Sequence, residues 1–366
     1  MMTEKTEQAQ WLLEEISAAV KKTGRKLRFM EVCGTHTVSI FRAGIRQLLP
    51  DSVELVSGPG CPVCVTPESY IDLAVEYAKR PEVIIATFGD MLKVPGTVSS
   101  LEKEQAKGAD IRIVYSPLDS LTLARENVDK LIIFLAVGFE TTAPAEAATL
   151  LAAKEKGIKN LCFLSVQKLV PPALRMLLED RNCRPDGFIL PGHVAVITGT
   201  RAFDFVAEEY GVPGVVTGFE PLEILRGVYE LAQMAAASEA KIKNAYKSVV
   251  RPEGNEQARD LLDSVYEAVD SEWRGLGELK ISGLRLREEY AEYDAERRIP
   301  LKLEHEKKPS ACRCGEVLKG LITPTECPLF GKACLPVDAK GPCMVSVEGV
   351  CAAWYKYGGG RFHYGR

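Results

Sequence analysis

The 366-residue sequence has no long apolar run. Its most hydrophobic stretch, LIIFLAVGF at 131–139, falls far short of the ~20 residues a membrane-spanning helix needs. The opening, MMTEKTEQAQWLLEEIS, lacks the apolar core of a signal peptide. There is no basic excess: 46 Lys and Arg against 50 Asp and Glu leave a net charge of −4, which argues against nucleic acid as a partner. No Walker A sequence is present, and GPGCPV at 58–63 misses the third glycine of the dinucleotide fingerprint. A second Cys-x-x-Cys, which a zinc ribbon would need, is missing too. These absences predict a cytoplasmic protein with neither a membrane nor nucleic acid as partner.

What the chain does have is eleven cysteines. In a reducing compartment, clustered cysteines point to metal or redox chemistry more often than to structural disulfides. The length allows two or three domains, each with its own core.

Residues Glu7 to Val20 place Trp11, Leu12, Ile16, Ala19 and Val20 near one helical face, with Gly24 as C-cap, which predicts a docking helix. Short β-branched runs then alternate with helical patterns at 27–32, 53–56, 82–88, 111–115, 130–137, 160–166, 187–190 and 214–217. Continuous apolar strands separated by helices imply parallel sheets covered on both faces. An echo between VGFETTAP at 137–144 and TGFEPLEI at 217–224 favours two sheets over one. Residues 236–306 read as helical and highly charged, with EEYAEYDAERR as a solvated helix face.

The expected fold class is therefore α/β, with two Rossmann-like parallel units and a mainly helical, cysteine-rich C-terminal domain. The expected boundaries are 1–27 for an N-terminal helix packed on the third domain, 28–128 and 129–235 for the α/β units, and 236–366 for the third domain.

In open parallel sheets, ligands bind beyond the carboxyl ends of the strands. The unusual polar loops fall there: CGTHT at 33–37, GPGCPVCVTP at 58–67, FGD at 88–90, GFETTAP at 138–144 and PGHVAVITG at 191–199. Chain order thus gathers Cys33, His36, Cys61, Cys64, Asp90, Glu140 and His193 along sheet edges. Asp90 and Glu140 serve equally well as helix caps, and His36 and His193 as histidines satisfied by backbone groups. Cys162 reads as a small core residue and Cys183 as an incidental loop thiol. His305 and His363 stand in polar or terminal stretches without a role.

The Cys61/Cys64 pair stands apart, because Gly58, Pro59, Gly60 and Pro62 restrict its backbone and a helix follows, with Thr66 as its expected N-cap and Pro67 at its first position. A helix N-terminus favours thiolate. The pair suits dithiol redox chemistry or an open metal site in which Cys33 is the natural third ligand, with soft thiolates matching low-spin Fe(II). Six further cysteines crowd into 312–351: Cys312, Cys314, Cys327, Cys334, Cys343 and Cys351. Four thiolates satisfy an iron–sulfur cluster and leave two over. A zinc site with spare thiols is the plain alternative, and spacing alone does not choose which four bind.

Taken together and in this order, CGTHT, GPGCPVCVTP, GFETTAP, LPGHV and the closing CRCGEVLKGLITPTECPLFGKAC…GPCMVSVEGVCAAWY resemble the HypD family of hydrogenase maturation factors, over about residues 28–356. The resemblance implies a scaffold on which the Fe(CN)2CO unit of [NiFe] hydrogenases is assembled, with a redox-active dithiol, rather than a conventional turnover enzyme. It implies two partners, a HypC-type chaperone that shares the iron and a HypE-type protein that supplies cyanide. Cys33, Cys61 and Cys64 match the family's iron-handling cysteines. The family's cluster motif falls on Cys312, Cys327, Cys334 and Cys351, implying a [4Fe-4S] cluster. Cys314 and Cys343 are then a spare pair near it, a possible disulfide, similar to the arrangement in ferredoxin:thioredoxin reductase. His36 is expected to orient a thiolate or shuttle a proton. Two other classes compete: a cluster-dependent thiol oxidoreductase acting on a partner protein, and a binding module whose metal is purely structural.

Overall fold

A computed structural model describes residues 4–303 and 310–358; His305 and His363 lie outside them. Eleven strands are present among the described residues: β1 (Leu27–Glu31), β2 (Val53–Ser57), β3 (Val83–Thr87), β4 (Ile111–Ile113), β5 (Leu131–Ala136), β6 (Leu161–Ser165), β7 (Gly187–Pro191), β8 (Gly214–Thr217), β9 (Ile242–Asn244), β10 (Tyr266–Trp273) and β11 (Gly277–Leu286). The first eight stand where the apolar runs predicted them. Their side chains are buried almost throughout, as expected of strands covered by helices on both faces.

Two wholly parallel sheets form, in the orders β2-β1-β7-β8-β9 and β4-β3-β5-β6. The strands are not shared out as a division at 128/129 would have it. The chain leaves the first sheet after β2, builds the whole second sheet, and returns with β7, which pairs with β1 through Met30 opposite Phe188. Chain order favours neighbouring strands as partners, but β1 has two open edges and nothing local says which strand fills the second. The GFE echo has no common role either: Glu140 is buried, whereas Glu220 is exposed and forms a capping box with Glu223.

Strand order creates two crevices. From β1 the chain crosses outward to β2, and from its neighbour β7 it crosses the other way to β8, so the loops after β1 and β7 diverge above the first sheet. The same reversal separates β3 from β5 in the second sheet. Such switch points are where open α/β sheets bind ligands.

Three other expectations need correction. The N-terminal helix, Glu4–Thr23, does not pack on the C-terminal region; its stripe Leu12, Ile16, Ala19 and Val20 packs with Ile224, Val228 and Leu231 of the helix Pro221–Ala237, which covers the first sheet. An apolar stripe needs a facing apolar stripe, and this helix supplies one. Second, residues 236–306 are not mainly helical: β9 joins the first sheet, and β10 and β11 form an antiparallel hairpin. EEYAEYDAERR is not a solvated helix face, since Tyr290, Tyr293 and Ala295 are buried and the Tyr77 hydroxyl donates to Ala295 O at 3.1 Å. Its charges hide the aromatics that anchor it. Third, Thr66 ends a short helix, Pro62–Val65, and Pro67 rather than Thr66 occupies the N-cap position of Glu68–Ala78.

Ile16 is fully buried in the N-terminal seam. Ile16→Ala is expected to cost about 2–5 kcal/mol of unfolding free energy, read by denaturant titration, while Glu14→Ala on the exposed side changes stability by no more than about 0.5 kcal/mol.

Candidate functional site

Cys33 follows β1 and takes the N-cap position of the helix Gly34–Arg42; Cys61 follows β2 and caps Pro62–Val65, its Sγ accepting the Cys64 N–H at 3.3 Å. The two loops are fastened to each other. Gly34 N–H donates to Gly60 O at 2.9 Å, and Gly60 lies so close that a methyl group there would overlap the backbone of Cys33. The Cys-x-x-Cys loop therefore reaches Cys33 because residue 60 has no side chain.

A third segment closes over both. Glu348 packs against Gly34 and accepts from Thr35 Oγ1 at 2.7 Å, while Ser346 Oγ donates to Asp90 Oδ2 at 2.9 Å. Residues 346–348 thus span the switch-point loops of both sheets. Cys343, at the start of this segment, lies within hydrogen-bonding reach of Cys64, as does Cys61. Cys61 and Cys64 are buried and Cys33 is half-buried.

Electrostatics run against the expectation that helix N-termini make these sulfurs thiolates. Burial pushes the Cys33 thiol up to about 11, and the Glu348 charge adds to this; the amides of His36 and Thr35 pull the other way and lose. Cys64 sits in the last turn of its four-residue helix rather than at an N-terminus. Burial first, then the neighbouring Cys343 and Cys61, raise its thiol well above the ordinary range.

His36 is fully buried. Its Nε2 lies 2.9 Å from Gly218 O and from Thr217 Oγ1, an arrangement that assigns the proton to Nε2, facing the carbonyl, and leaves Nδ1 a partnerless acceptor. Burial lowers its pKa to about 4, so the ring is neutral near pH 7. It stacks on Phe219 at 4.5 Å, and the exposed His193 ring lies 3.9 Å from the same Phe219. His193 and His36 thus meet at the crevice between β1 and β7.

Beneath the crevice, the buried Glu31 accepts from Ser57 Oγ at 2.5 Å and pairs with Arg46 at 3.1 Å. Arg46 stands over the rings of Phe41 and Trp354, tying β1 and β2 to the helix Val350–Tyr357, which carries Cys351. Glu140 is placed differently from the others: buried after β5, its Oε1 accepts the Val170 N–H at 2.8 Å and caps the helix Val170–Glu179, as the capping alternative has it.

The six C-terminal cysteines line one small cavity. Cys312 and Cys314 hydrogen-bond to each other, which together with burial raises the Cys312 thiol. Burial raises Cys351, with Cys343, Cys312, Cys334 and Cys327 all close enough to add to it. Direct contacts thus join Cys312 to Cys314 and Cys343 to Cys64, while Cys314 and Cys343 share the cavity. Among the described residues, no three Cys, His, Asp or Glu side chains stand ready-made around a metal ion. Cys162 is buried in β6, and Cys183 is a free thiol in the loop before β7, buried there.

Ser346, Glu348, Phe219 and Arg46 escaped sequence analysis because none has a side chain or spacing that by itself signals chemistry. The hairpin turn Trp273–Leu276 had a signal, RGLG after an aromatic, of the kind that marks a tight turn.

Comparison with known proteins now decides the family. The HypD family model, described as "Hydrogenase formation hypA family", matches residues 7–358. The chain belongs to the HypD family. It is 48% identical over 334 residues to the hydrogenase maturation factor HypD of Escherichia coli K12, covering 91% of this chain and 90% of that one. It is 43% identical to HypD of Rhodobacter capsulatus, covering 96% of each, and 44% identical to HypD of Azotobacter vinelandii, covering 93% and 92%. Hydrogenase maturation is thus the function of this HypD-family protein. No helix among its described residues is long and apolar enough to cross a membrane.

The Glu140 carboxyl supplies a pH test of the site's burial. Burial raises its pKa from 4.5 to about 7. A raised folded-state pKa means that its stabilising contribution is fully present below the unfolded value and is lost as pH rises through about 7. Glu140→Gln keeps an acceptor for Val170 without the charge. Thermal unfolding should show the variant gaining on the parent as pH rises from about 5 to about 8; a constant difference across that window would contradict the assignment.

Proposed function

We propose that this protein is the scaffold on which iron receives cyanide and carbon monoxide to become the Fe(CN)2CO unit of a [NiFe] hydrogenase, and that it reduces its own dithiol for the task. The observation that carries this is the convergence of the Cys33 loop, the Cys61–Cys64 loop and the Cys343–Glu348 segment at one switch-point crevice. Cys33 keeps part of its surface open, so it is the sulfur that incoming iron, carried by a HypC-type chaperone, meets first. Cys61 and Cys64, on the loop fastened to the Cys33 loop, are further soft donors, suited to low-spin Fe(II). A HypE-type partner delivers cyanide to the same crevice. His36 contributes its backbone amide to the Cys33 sulfur and a neutral ring whose Nδ1 can accept a hydrogen bond.

The donor set of the C-terminal cavity fits an iron–sulfur group, since four thiolates suffice and six line it. Cys312, Cys327, Cys334 and Cys351 would hold it, the first three all close enough to influence the fourth. Such a group would supply the electrons that restore an oxidised 314/343 pair. Starting from the 314/343 dithiol, Cys343 gives up its proton and attacks Cys64 Sγ of an oxidised Cys61–Cys64 disulfide, that bond breaks, Cys61 leaves and takes up a proton, and a Cys64–Cys343 bond forms. Cys314, which shares the cavity, gives up its proton, attacks Cys343 Sγ and releases Cys64, which takes up a proton. The dithiol ends reduced and the 314/343 pair oxidised, two electrons having moved.

In the complex with a HypC-type partner, Cys33→Ala is expected to remove the infrared bands of bound CN and CO while C-terminal iron stays at about four per chain. Cys327→Ala should lose that iron and its colour. A Cys33→Ala complex with bands of normal intensity would overturn the scaffold reading; a brown, iron-replete Cys327→Ala protein would overturn the ligand set.

A further inference from the structure

The turn between β10 and β11, Trp273-Arg274-Gly275-Leu276, is wedged between the two groups of sulfurs. On one side the Arg274 N–H donates at 2.8 Å to Val65 O, the last residue of the short helix that carries Cys64. The guanidinium, with a side chain only 9% exposed, donates to Pro95 O at 2.8 Å and pairs with Glu68 at 2.6 Å. On the other side Gly275 lies against the segment that carries Cys314: a Cβ there would stand 2.8 Å from Gly315 Cα and 3.3 Å from Cys314 Sγ. The turn closes with Leu276 N–H on Trp273 O at 3.0 Å and with Gly275 at φ +80°. Its base is held by Trp273, fully buried, whose Nε1 donates to Ser282 Oγ at 2.9 Å.

A joint needed only for packing would be served by an apolar side chain, because a buried ion pair adds little net stability over a hydrophobic replacement. What the guanidinium adds is direction. Its planar fork fixes Glu68, four residues beyond Cys64, and Pro95 relative to a backbone whose next residue packs against Cys314 and Gly315. We propose that this turn is a positioning device for sulfur exchange: Arg274 holds the Cys64 helix and Gly275 the Cys314 segment in the register that brings Cys343 within reach of Cys64. The inference rests on the exchange route proposed above.

The test uses the full chain carrying Cys61→Ser, so that Cys64 can pair with Cys343, equilibrated in glutathione redox buffers under anaerobic conditions. Mass spectrometry of the quenched protein gives the Cys64–Cys343 disulfide fraction and hence the effective concentration of one thiol at the other. Adding R274Q is expected to lower that effective concentration about tenfold or more, because displacements near 1 Å are enough for such losses. R274K, which keeps the charge and one donor, should recover part of it. An unchanged value in R274Q, or equal losses in R274Q and R274K, would overturn the positioning role. If R274Q fails to fold, E68Q replaces it and the same comparison decides, a loss supporting the role and an unchanged value overturning it. Absence of any Cys64–Cys343 disulfide in the Cys61→Ser parent would overturn the exchange route itself, a failure distinct from that of the turn.

Discussion

The contact between Gly60 and the backbone of Cys33 is the constraint on which the crevice depends. Two loops that follow adjacent strands would ordinarily stand a side chain apart; here one has none, and Gly34 N–H reaches Gly60 O directly. That closeness puts Cys33, Cys61 and Cys64 in one crevice. Gly34, also without a side chain, admits Glu348, so the C-terminal segment seats itself on the same loop. The pairing of β1 with β7 supplies the opposite wall, bringing Phe219 and His193 beside His36.

Burial then sets the chemistry. Burial away from water favours the neutral thiol, and it moves Cys33, Cys64 and Cys351 in that direction. Neutral thiols are poor ligands and poor nucleophiles, so their reactivity awaits an incoming cation or a change in charge nearby. On the proposed function iron would be that cation, and Glu348 beside Cys33 would help to balance it. The neutral His36 ring follows the same logic: a second positive group at the crevice would oppose the iron proposed there.

The eight apolar runs were legible because a strand buried on both faces must be apolar throughout, and all eight appear within a residue or two of their expected ends. The polar loops were legible as strand-end loops for the same reason. The hairpin β10–β11 was not, because its exposed face carries charges, among them Glu267, Asp270, Lys280 and Arg285, that resemble a solvated helix. The partition of strands was hidden too, since β1 and β7 are separated by more than a hundred residues and their pairing leaves no local mark.

The sequence by itself determined the parallel α/β class, the family, and the three cysteines of the crevice with the six of the C-terminal region, since these are properties of residue type and order. Only the tertiary structure decided that Cys343 meets Cys64, that Glu140 is a buried helix cap, and that burial raises the Cys33 and Cys64 thiols. The physical reason is common to all three: proximity and desolvation depend on what packs around a side chain, and the packing partners come from segments far away in the chain. Arg274 makes the point most directly. Its charge is visible in the sequence, but its place between two groups of cysteines exists only once β10 and β11 have folded against the Cys64 helix.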